Sequence, residues 1–173
     1  LSEPATRLDD ALVRDERFGV DFLLAQEASS DPARLFGSPA MDRLLGELRA
    51  RPDGGCELVG TTSFFDFNPV LPAAEIGATW LDARQHGTGL NRTIKYLMLR
   101  HAFEHWQLVR VQLKTAATNL RSQAAIEKLG AVREGLLRHH RRLADGRLDD
   151  TVMYSITDRE WPEVKARLEA SFN

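Results

Sequence analysis

The sequence predicts a single α/β domain built on a mixed sheet, and three observations support this fold class. From Cys56 onward the hydrophobic periodicities follow the order strand, strand, helix, strand, helix, strand, strand, helix. Hairpins between neighbouring strands therefore alternate with helical crossovers, which predicts both antiparallel and parallel strand pairs. The predicted helices are amphipathic and need a sheet to cover. A length of 173 residues suits one domain with a buried core.

The composition is that of a soluble globular protein and sets limits on partners and location. Hydrophobic residues make up 43% and charged residues 28% of the chain. The net charge of −2 predicts no general attraction to nucleic acid or to a membrane surface. Cys56 is the only cysteine, so no internal disulfide can form, and no apolar run is long enough to span a bilayer. We therefore expect a cytoplasmic protein.

The first part of the chain has weak periodicity and two candidate helices. Residues Leu8 to Phe18 predict a helix with a broken apolar face. Residues 29–32, SSDP, are typical of a loop. A helix from Pro39 to Ala50 has the stronger pattern, because Ser38 suits the N-cap and Pro39 the first helical position.

Two strands and a long helix follow. Cys56 to Phe67 and Glu75 to Leu81 are rich in aromatic and apolar residues and are predicted strands. Asn91 to Trp106 has one apolar face of helical spacing. Its charged side chains are expected to be mostly solvated; they are Arg92, Lys95, Arg100 and Glu104.

The C-terminal part alternates strands with short helices. Leu108 to Thr115 has strict period-two alternation, which predicts a half-buried strand. Leu120 to Leu129 is a predicted helix with Asn119 as its N-cap and Gly130 as its C-cap. Two further strands are predicted around a turn at residues 144–147, and a short helix follows Thr157 with two apolar residues facing inward. Those strands are Ala131 to Arg141 and Thr151 to Ile156, and the inward residues are Val164 and Leu168.

The connection between the second strand and the long helix carries the strongest functional signal. Residues 80–91 are WLDARQHGTGLN, a glycine loop between a strand and a helix start. Backbone N–H groups in such a loop, together with the positive end of the helix dipole, can hold a phosphate. The pattern is not GxxxxGK[ST], and it lacks the third glycine of a dinucleotide fingerprint. On the loop alone, a phosphate site and a plain tight turn both remain possible.

Signatures in three segments favour a phosphate site over a plain tight turn. Residues 84–89 read RQHGTG, which matches the Q/R-x-x-G-x-G/A loop of the GNAT superfamily of acyl-CoA-dependent N-acetyltransferases. Residues 119–138, NLRSQAAIEKLGAVREGLLR, and 145–164, DGRLDDTVMYSITDREWPEV, resemble the signatures of its RimJ/RimL-like branch in content and order. The resemblance is close over residues 74–164, and it implies one GNAT domain over residues 1–173.

The N-terminal region departs from the family pattern. GNAT domains normally have a strand before the first helix and a strand pair after the second. Here only RPDGG, residues 51–55, separates the second predicted helix from the strand at Cys56. We therefore expect either a shortened sheet or a segment that lies outside this sequence.

The resemblance implies transfer of an acetyl group from acetyl-CoA to a primary amine, within a ternary complex and without a metal. The branch suggests a protein N-terminal amine of ribosomal-protein type as the acceptor. A small-molecule amine, such as an antibiotic or a polyamine, remains an alternative, as does a module that binds acyl-CoA without turnover. A homodimer is compatible with the family.

The resemblance also implies which residues bind acetyl-CoA. Backbone N–H groups between Gln85 and Leu90 are expected to hold the pyrophosphate, and the backbone of 78–81 to pair with the pantetheine arm. The side chain of Trp80 is expected in the core, whereas Arg84 and Arg92 lie either near the phosphates or in solvent. The cofactor-binding set is Trp80, Leu81, Arg84, Gln85, Gly87, Thr88, Gly89, Leu90, Asn91 and Asn119.

Catalysis needs a base for the amine and an acid for the thiolate. Many GNAT enzymes have a tyrosine acid further along the second helix, but Ile126 occupies that stretch here. Ser122 is the implied acid, with a second capping residue as its alternative role. Glu75 is the first candidate base, and the alternative is a strand-edge carboxylate in water. Alternation places Glu75 on one strand face with Gly77 and Thr79, opposite Trp80.

Other titratable residues are weaker candidates. Glu134 is the next candidate base, or else part of a structural salt bridge. His139 and His140 follow on the same predicted strand, and alternation places them on opposite faces. The pair in HAFEH, residues 101–105, does not match HExxH, so we do not predict a zinc site. The run RHHRR, residues 138–142, is interpreted as a solvated strand end.

Overall fold

A computed structural model of the protein describes residues 12–15, 20–23, 59–68, 70–143 and 145–172. The chain divides into two compact units, Leu1–Val59 and Gly60–Asn173, which we describe separately. Within the described ranges, none of the helices combines the length and the apolar character needed to cross a membrane.

The first unit contains a short antiparallel hairpin. Strand β1 (Leu12–Asp15) pairs with β2 (Val20–Leu23), with Leu12 opposite Leu23. The prediction of a helix over residues 8–18 is therefore wrong at β1. Leucine and arginine are compatible with a helix, but pairing with a neighbouring strand overrides local propensity. The predicted loop at 29–32 and helix at 39–50 lie outside the described residues.

The second unit has the predicted types of element in the predicted order. Its strands are β3 (Gly60–Asn68), β4 (Ala73–Leu81), β5 (Arg110–Ala116), β6 (Val132–Arg142) and β7 (Leu148–Thr157). Its helices are α1 (Leu90–Arg100), α2 (Leu120–Leu129) and α3 (Trp161–Ala170). The long predicted helix changes character near its end, because residues His101–His105 form a π-helical turn after α1.

The five strands form a mixed sheet in the order β3-β4-β5-β7-β6. Only β4 and β5 are parallel among these neighbours; the other three pairs are antiparallel. Helix α1 connects the parallel pair, and α2 connects β5 to β6 across β7. The α/β class with a mixed sheet is confirmed.

The parallel pair separates soon after it forms. Within these fully described strands, β4 and β5 are in register at only three positions, from Ala73 opposite Arg110 to Glu75 opposite Gln112. Residues 76–81 of β4 and 113–116 of β5 then diverge. Unpaired backbone at the centre of a sheet can take an added strand-like ligand. The opening begins beside Glu75.

A β-bulge interrupts β4 inside this opening. Thr61 lies opposite Trp80, and Ser63 lies opposite Gly77, so two residues of β4 face one residue of β3. Ala78 at the bulge has a φ of +43°, in the left-handed region that is unusual for a residue with a Cβ atom. Beyond the bulge, the side chains of β4 therefore lie on the sheet faces opposite to those that simple alternation predicts.

A second irregularity lies on β6. Leu137 is opposite Thr151 and Arg141 is opposite Asp149, so three residues of β6 face Asp150 alone. His139 has a φ of +52°, and its N–H donates to Asp150 Oδ1 at 2.7 Å. Simple alternation therefore fails here, and the assignment of His139 and His140 to opposite faces stays a prediction. Both line one open pocket beside Asp150.

The core of the second unit follows the predicted apolar faces. Val111 and Leu113 of β5 are buried, as the alternation predicts. Asn119 and Gly130 cap α2, with Gly130 at a φ of +100°. The inward residues of α3, Val164 and Leu168, are buried as predicted. The strand and helix that flank the opening are thus held by a conventional apolar core.

Candidate functional site

The glycine loop and the start of α1 form a cluster of uncommitted N–H groups. The N–H groups of Gly87, Gly89 and Asn91 donate to no described residue. Gly89 is the N-cap of α1 and supplies no capping side chain, and the first turn contains no acidic residue. The positive end of the helix dipole is therefore unopposed by a local carboxylate, which suits an anion.

Both glycines are needed for the loop conformation. Gly87 and Gly89 have φ values of +80° and +90°, in the left-handed region that favours glycine. A Cβ atom on Gly87 would meet nothing within 4 Å. The space beside Gly87 is therefore open to a ligand and is not filled by packing within the described residues.

The two arginines near the loop have different roles. Arg84 Nε and Nη2 each lie 3.0 Å from a carboxylate oxygen of Asp82. Asp82 also caps the 3-10 turn Ala83–Gln85 by accepting the Arg84 N–H, and these contacts lower the pKa of Asp82 to about 2. Arg92 lies in the first turn of α1, where Nη2 donates to Ser171 O at 3.3 Å and Nε is buried without a described partner. The guanidinium of Arg92 also lies over the Phe172 ring, 5.3 Å from its centroid.

The bulged part of β4 is exposed on the side of the opening. Residues 78–80 are exposed, and Trp80 shows 56% of its surface to solvent. The expectation that Trp80 lies in the core is therefore wrong. The bulge turns Trp80 onto the sheet face of Gly77 and Glu75, where no described element covers it. Its indole is available to a ligand in the opening.

The start of α2 presents one amide and one hydroxyl. Asn119 Oδ1 accepts the N–H of Ser122 at 3.0 Å, which confirms Asn119 as the N-cap. This bond occupies the oxygen and leaves the Asn119 Nδ2 donors without a described acceptor. The Ser122 hydroxyl likewise has no hydrogen bond to a described residue. Ile126 is 7% exposed and belongs to the core, so it offers no substitute for a tyrosine acid.

Glu75 is a buried carboxylate at the point where β4 and β5 separate. It is 3% exposed, so the alternative of a solvated edge carboxylate is wrong. Its Oε2 lies 2.8 Å from Lys114 Nζ and accepts from Gln112 Nε2 at 3.1 Å. Its Oε1 accepts no hydrogen bond from a described residue and lies over Gly77, 3.2 Å from where a Cβ would be. One oxygen is thus held and the other is open.

Glu134 is held in a salt bridge. Its two oxygens accept from Arg110 Nη1 and Nη2 at 2.6 and 2.5 Å, and Oε1 also accepts from Ser155 at 2.9 Å. The hydrogen bonds from Arg110 lower the pKa of Glu134, although burial opposes them. A carboxylate with all of these donors is a weak proton acceptor. The geometry favours the structural role.

Several neighbours of the opening were not recognised from the sequence. The alternation of Leu108 to Thr115 places Lys114 and Gln112 on the polar face of the strand, but it does not reveal that both bind Glu75. Lys95 was expected in solvent but is 5% exposed, and burial lowers its pKa to about 7. Helical spacing could have predicted the burial of Lys95, because it lies on the same face of the helix as Met98 and Ala102, which are both buried.

The comparisons with known proteins agree with this geometry. A family model described as an acetyltransferase (GNAT) domain matches residues 25–132, more than half of the chain. YdaF of Bacillus subtilis (strain 168), provisionally described as a ribosomal N-acetyltransferase, is 30% identical over 168 residues; the match covers 93% of this chain and 91% of the relative.

Solved structures extend the likeness. A provisionally described acetyltransferase from T. thermophilus is 44% identical, with a TM-score of 0.65 over 78% of this chain and 74% of that chain. Spermidine N-acetyltransferase SpeG from Vibrio cholerae, solved as a mutant, is 22% identical, with a TM-score of 0.57 over 64% of this chain and 63% of that chain; it shares the fold alone. The chain belongs to the GNAT family, on its RimJ/RimL-like side, and is an acetyl-CoA-dependent N-acetyltransferase.

Proposed function

We propose that this protein transfers the acetyl group of acetyl-CoA to the N-terminal amine of a protein, by direct attack in a ternary complex. One observation carries the proposal: the opening between β4 and β5 has free backbone N–H groups at the glycine loop and a buried carboxylate, Glu75, where the strands part. A long thioester substrate needs an anion site and a reaction site that are joined by an extended groove.

The phosphate end of acetyl-CoA binds the glycine loop in this proposal. The N–H groups of Gly87, Gly89 and Asn91 receive the pyrophosphate, and Arg92 adds charge from the first turn of α1. The pantetheine arm lies along residues 78–81 of β4, which have no partner strand on that side among the described residues. Asn119 Nδ2 donates to the same arm from the start of α2.

The reaction end lies between Glu75 and Ser122. The acceptor loses a proton to Glu75 Oε1, directly or through a water, and its nitrogen attacks the thioester carbonyl. Backbone N–H groups of the bulge stabilise the oxyanion. The carbon–sulfur bond then breaks, and the Ser122 hydroxyl gives its proton to the thiolate. The attacking nitrogen loses its second proton, which returns through water to the Ser122 oxygen. The acyl group ends on nitrogen, CoA leaves as a thiol, and Glu75 returns its proton to solvent.

Charge near Glu75 supports a peptide over a polyamine as the acceptor. Among the described residues, the charged group in contact with Glu75 is Lys114. It neutralises the carboxylate, and its side chain is 37% exposed. A polyamine carries several positive charges and gains most from an uncompensated acidic pocket. A peptide N-terminus brings a single charge. The name of YdaF adds support for a ribosomal protein as acceptor, and the single cysteine of the chain supports a cytoplasmic setting.

Free-thiol release from acetyl-CoA tests this proposal. The panel contains peptides with different N-terminal residues, the same peptides with a blocked N-terminus, spermidine and an aminoglycoside. We expect thiol release only with the peptides whose N-terminus is not blocked. Release with spermidine or the aminoglycoside alone would replace the peptide acceptor by a small molecule. A lack of acetyl-CoA binding in calorimetry would contradict the assignment of the glycine loop.

A further inference from the structure

Lys95 is a buried lysine of α1 whose partners are two hydroxyl groups. Its ammonium nitrogen donates to Thr62 Oγ1 at 2.8 Å and to Thr79 Oγ1 at 2.6 Å. The two hydroxyl oxygens are themselves 3.0 Å apart. Within the described part of the chain, no carboxylate forms an ion pair with Lys95. A buried cationic side chain with this arrangement needs a reason beyond ordinary packing.

The two threonines are the two sides of the β4 bulge. Thr79 follows Ala78, the residue with a φ of +43°, and Thr62 is the single β3 residue opposite the pair Ala78 and Thr79. The register places Thr79 on the sheet face away from Glu75, so the alternation that assigned both to one face is wrong at Thr79. Lys95 therefore bridges the bulged strand and its partner from the helix side. A strained backbone conformation persists only where its surroundings hold it.

The position of Lys95 on α1 connects this bridge to the anion site. The free N–H groups of the glycine loop lie at and just before the start of α1, and Lys95 lies about one turn beyond Asn91 on that helix. One helix therefore follows the glycine loop and contacts the β4 bulge. We infer that Lys95 is a positioning residue, which holds the β4 bulge in register with the phosphate-binding end of α1 so that the bulge N–H groups meet the thioester carbonyl. This inference rests on the proposed function.

The chemistry of the bridge predicts which substitutions matter. Lys95→Met keeps a flexible stem of similar length and removes both donated hydrogen bonds. Thr79→Val and Thr62→Val keep the shape of the side chain and remove one hydroxyl each. Lys128→Met is the matched control, because Lys128 is an exposed lysine near the C-terminal end of α2. The variants separate the loss of the bridge from the loss of a lysine.

The first readout needs no turnover. Calorimetry compares acetyl-CoA with CoA for each variant, since the two ligands differ at the thioester and share the pyrophosphate. We expect Lys95→Met and Thr79→Val to weaken acetyl-CoA about tenfold relative to CoA, with CoA affinity within about threefold of the parent. The double variant Lys95→Met with Thr79→Val should bind acetyl-CoA no more weakly than either single variant, because both substitutions remove the same bridge. Lys128→Met should match the parent.

The second readout is kinetic. The same two variants should lower kcat by about tenfold or more while the KM for acetyl-CoA changes little. A folded Lys95→Met with unchanged kcat and an unchanged preference between the two ligands would overturn the inference. If Lys95→Met does not fold, Thr79→Val and Thr62→Val decide it by the same criteria. A parent protein that binds neither ligand would contradict the proposed function instead.

Discussion

The carboxylate of Glu75 on β4 and the ammonium group of Lys114 on β5 lie 2.8 Å apart, on the two strands that separate beyond the pair Glu75 and Gln112. Glu75 is almost fully buried, whereas the side chain of Lys114 is partly exposed. A buried carboxylate needs a counter-charge or several donors, and Lys114 provides this from the rim of the opening. The pair therefore holds a buried carboxylate at the point where β4 and β5 part.

Replacing Glu75 by glutamine tests its role as the base. Glutamine keeps the size of the side chain but cannot accept a proton, so kcat should fall about a hundredfold or more. Acetyl-CoA affinity should stay within about twofold because the pyrophosphate end is untouched. Rates and calorimetry on Glu75→Gln measure the two effects. Glu134→Gln provides the contrast: its salt bridge with Arg110 is partly exposed, so it should cost about 1 kcal/mol of stability and little turnover. A large fall in kcat for Glu134→Gln, with little change for Glu75→Gln, would instead identify Glu134 as the base.

Removing Lys114 should lower the stability of the folded protein. Lys114→Met leaves Glu75 buried with only Gln112 as a described donor, which should destabilise the protein by about 1–2 kcal/mol. The double variant Glu75→Gln with Lys114→Met should recover part of that loss, because no unpaired charge remains. Denaturant unfolding of the two single variants and the double variant gives the coupling free energy. Strict additivity would show that the pair does not interact.

Glycine substitutions test the anion site with a close internal control. Gly87 and Gly146 have φ values of +80° and +87°, and neither has a neighbour within 4 Å of an added Cβ. Gly87→Val and Gly146→Val should therefore cost similar stability, about 1 kcal/mol or more, from backbone strain. Only Gly87→Val should abolish CoA binding, because its side chain enters the proposed phosphate site. Equal CoA affinity in the two variants would remove the glycine loop from the binding site.

The start of α2 allows capping and ligand binding to be separated. Asn119→Asp keeps the oxygen that accepts the Ser122 N–H, so the helix stays capped, but it loses the amide donors. CoA affinity should fall about tenfold with little change in Tm. Asn119→Ala should in addition lose about 1 kcal/mol of stability. Ser122→Ala should slow turnover with CoA affinity retained. If its rate equals that of the parent, the proton for the thiolate comes from elsewhere.

The buried amine of Lys95 predicts a pH dependence of stability. Burial lowers its pKa from 10.5 to about 7 in the folded protein, so the unfolded chain binds more protons between these values. The free energy of unfolding should therefore rise with pH from about 7 towards 10.5, by up to a few kcal/mol for this group. Denaturant unfolding of the parent and of Lys95→Met across this range measures it. The variant should have the flatter profile, and identical slopes would contradict the shift.

Most elements of the second unit could be predicted from short windows of sequence. Val111 and Leu113 alternate with polar residues, and Asn119 and Gly130 carry the capping preferences of their types. The glycine loop could be recognised because a positive φ at Gly87 and Gly89 is a local requirement. Each of these features depends on residues within one or two turns of each other, so a short window of sequence contains what determines the local structure.

The errors have a common origin in longer-range contacts. The strand at Leu12–Asp15 depends on a partner strand, which a helix-compatible sequence does not reveal. The exposure of Trp80 and the face of Thr79 follow from a bulge set by the pairing of β4 with β3. The burial of Lys95 follows from its two threonine partners, 16 and 33 positions away.

The sequence alone determined the order of elements after Cys56, the glycine loop and the family resemblance, because periodicity, capping and glycine conformations act over a few residues. The tertiary structure decided which titratable groups meet. It placed Lys114 on Glu75, paired Glu134 with Arg110, and buried Lys95 under the bulge. The physical reason is that burial and charge pairing are properties of the space between strands and helices, and register errors of one residue would exchange the faces that create that space.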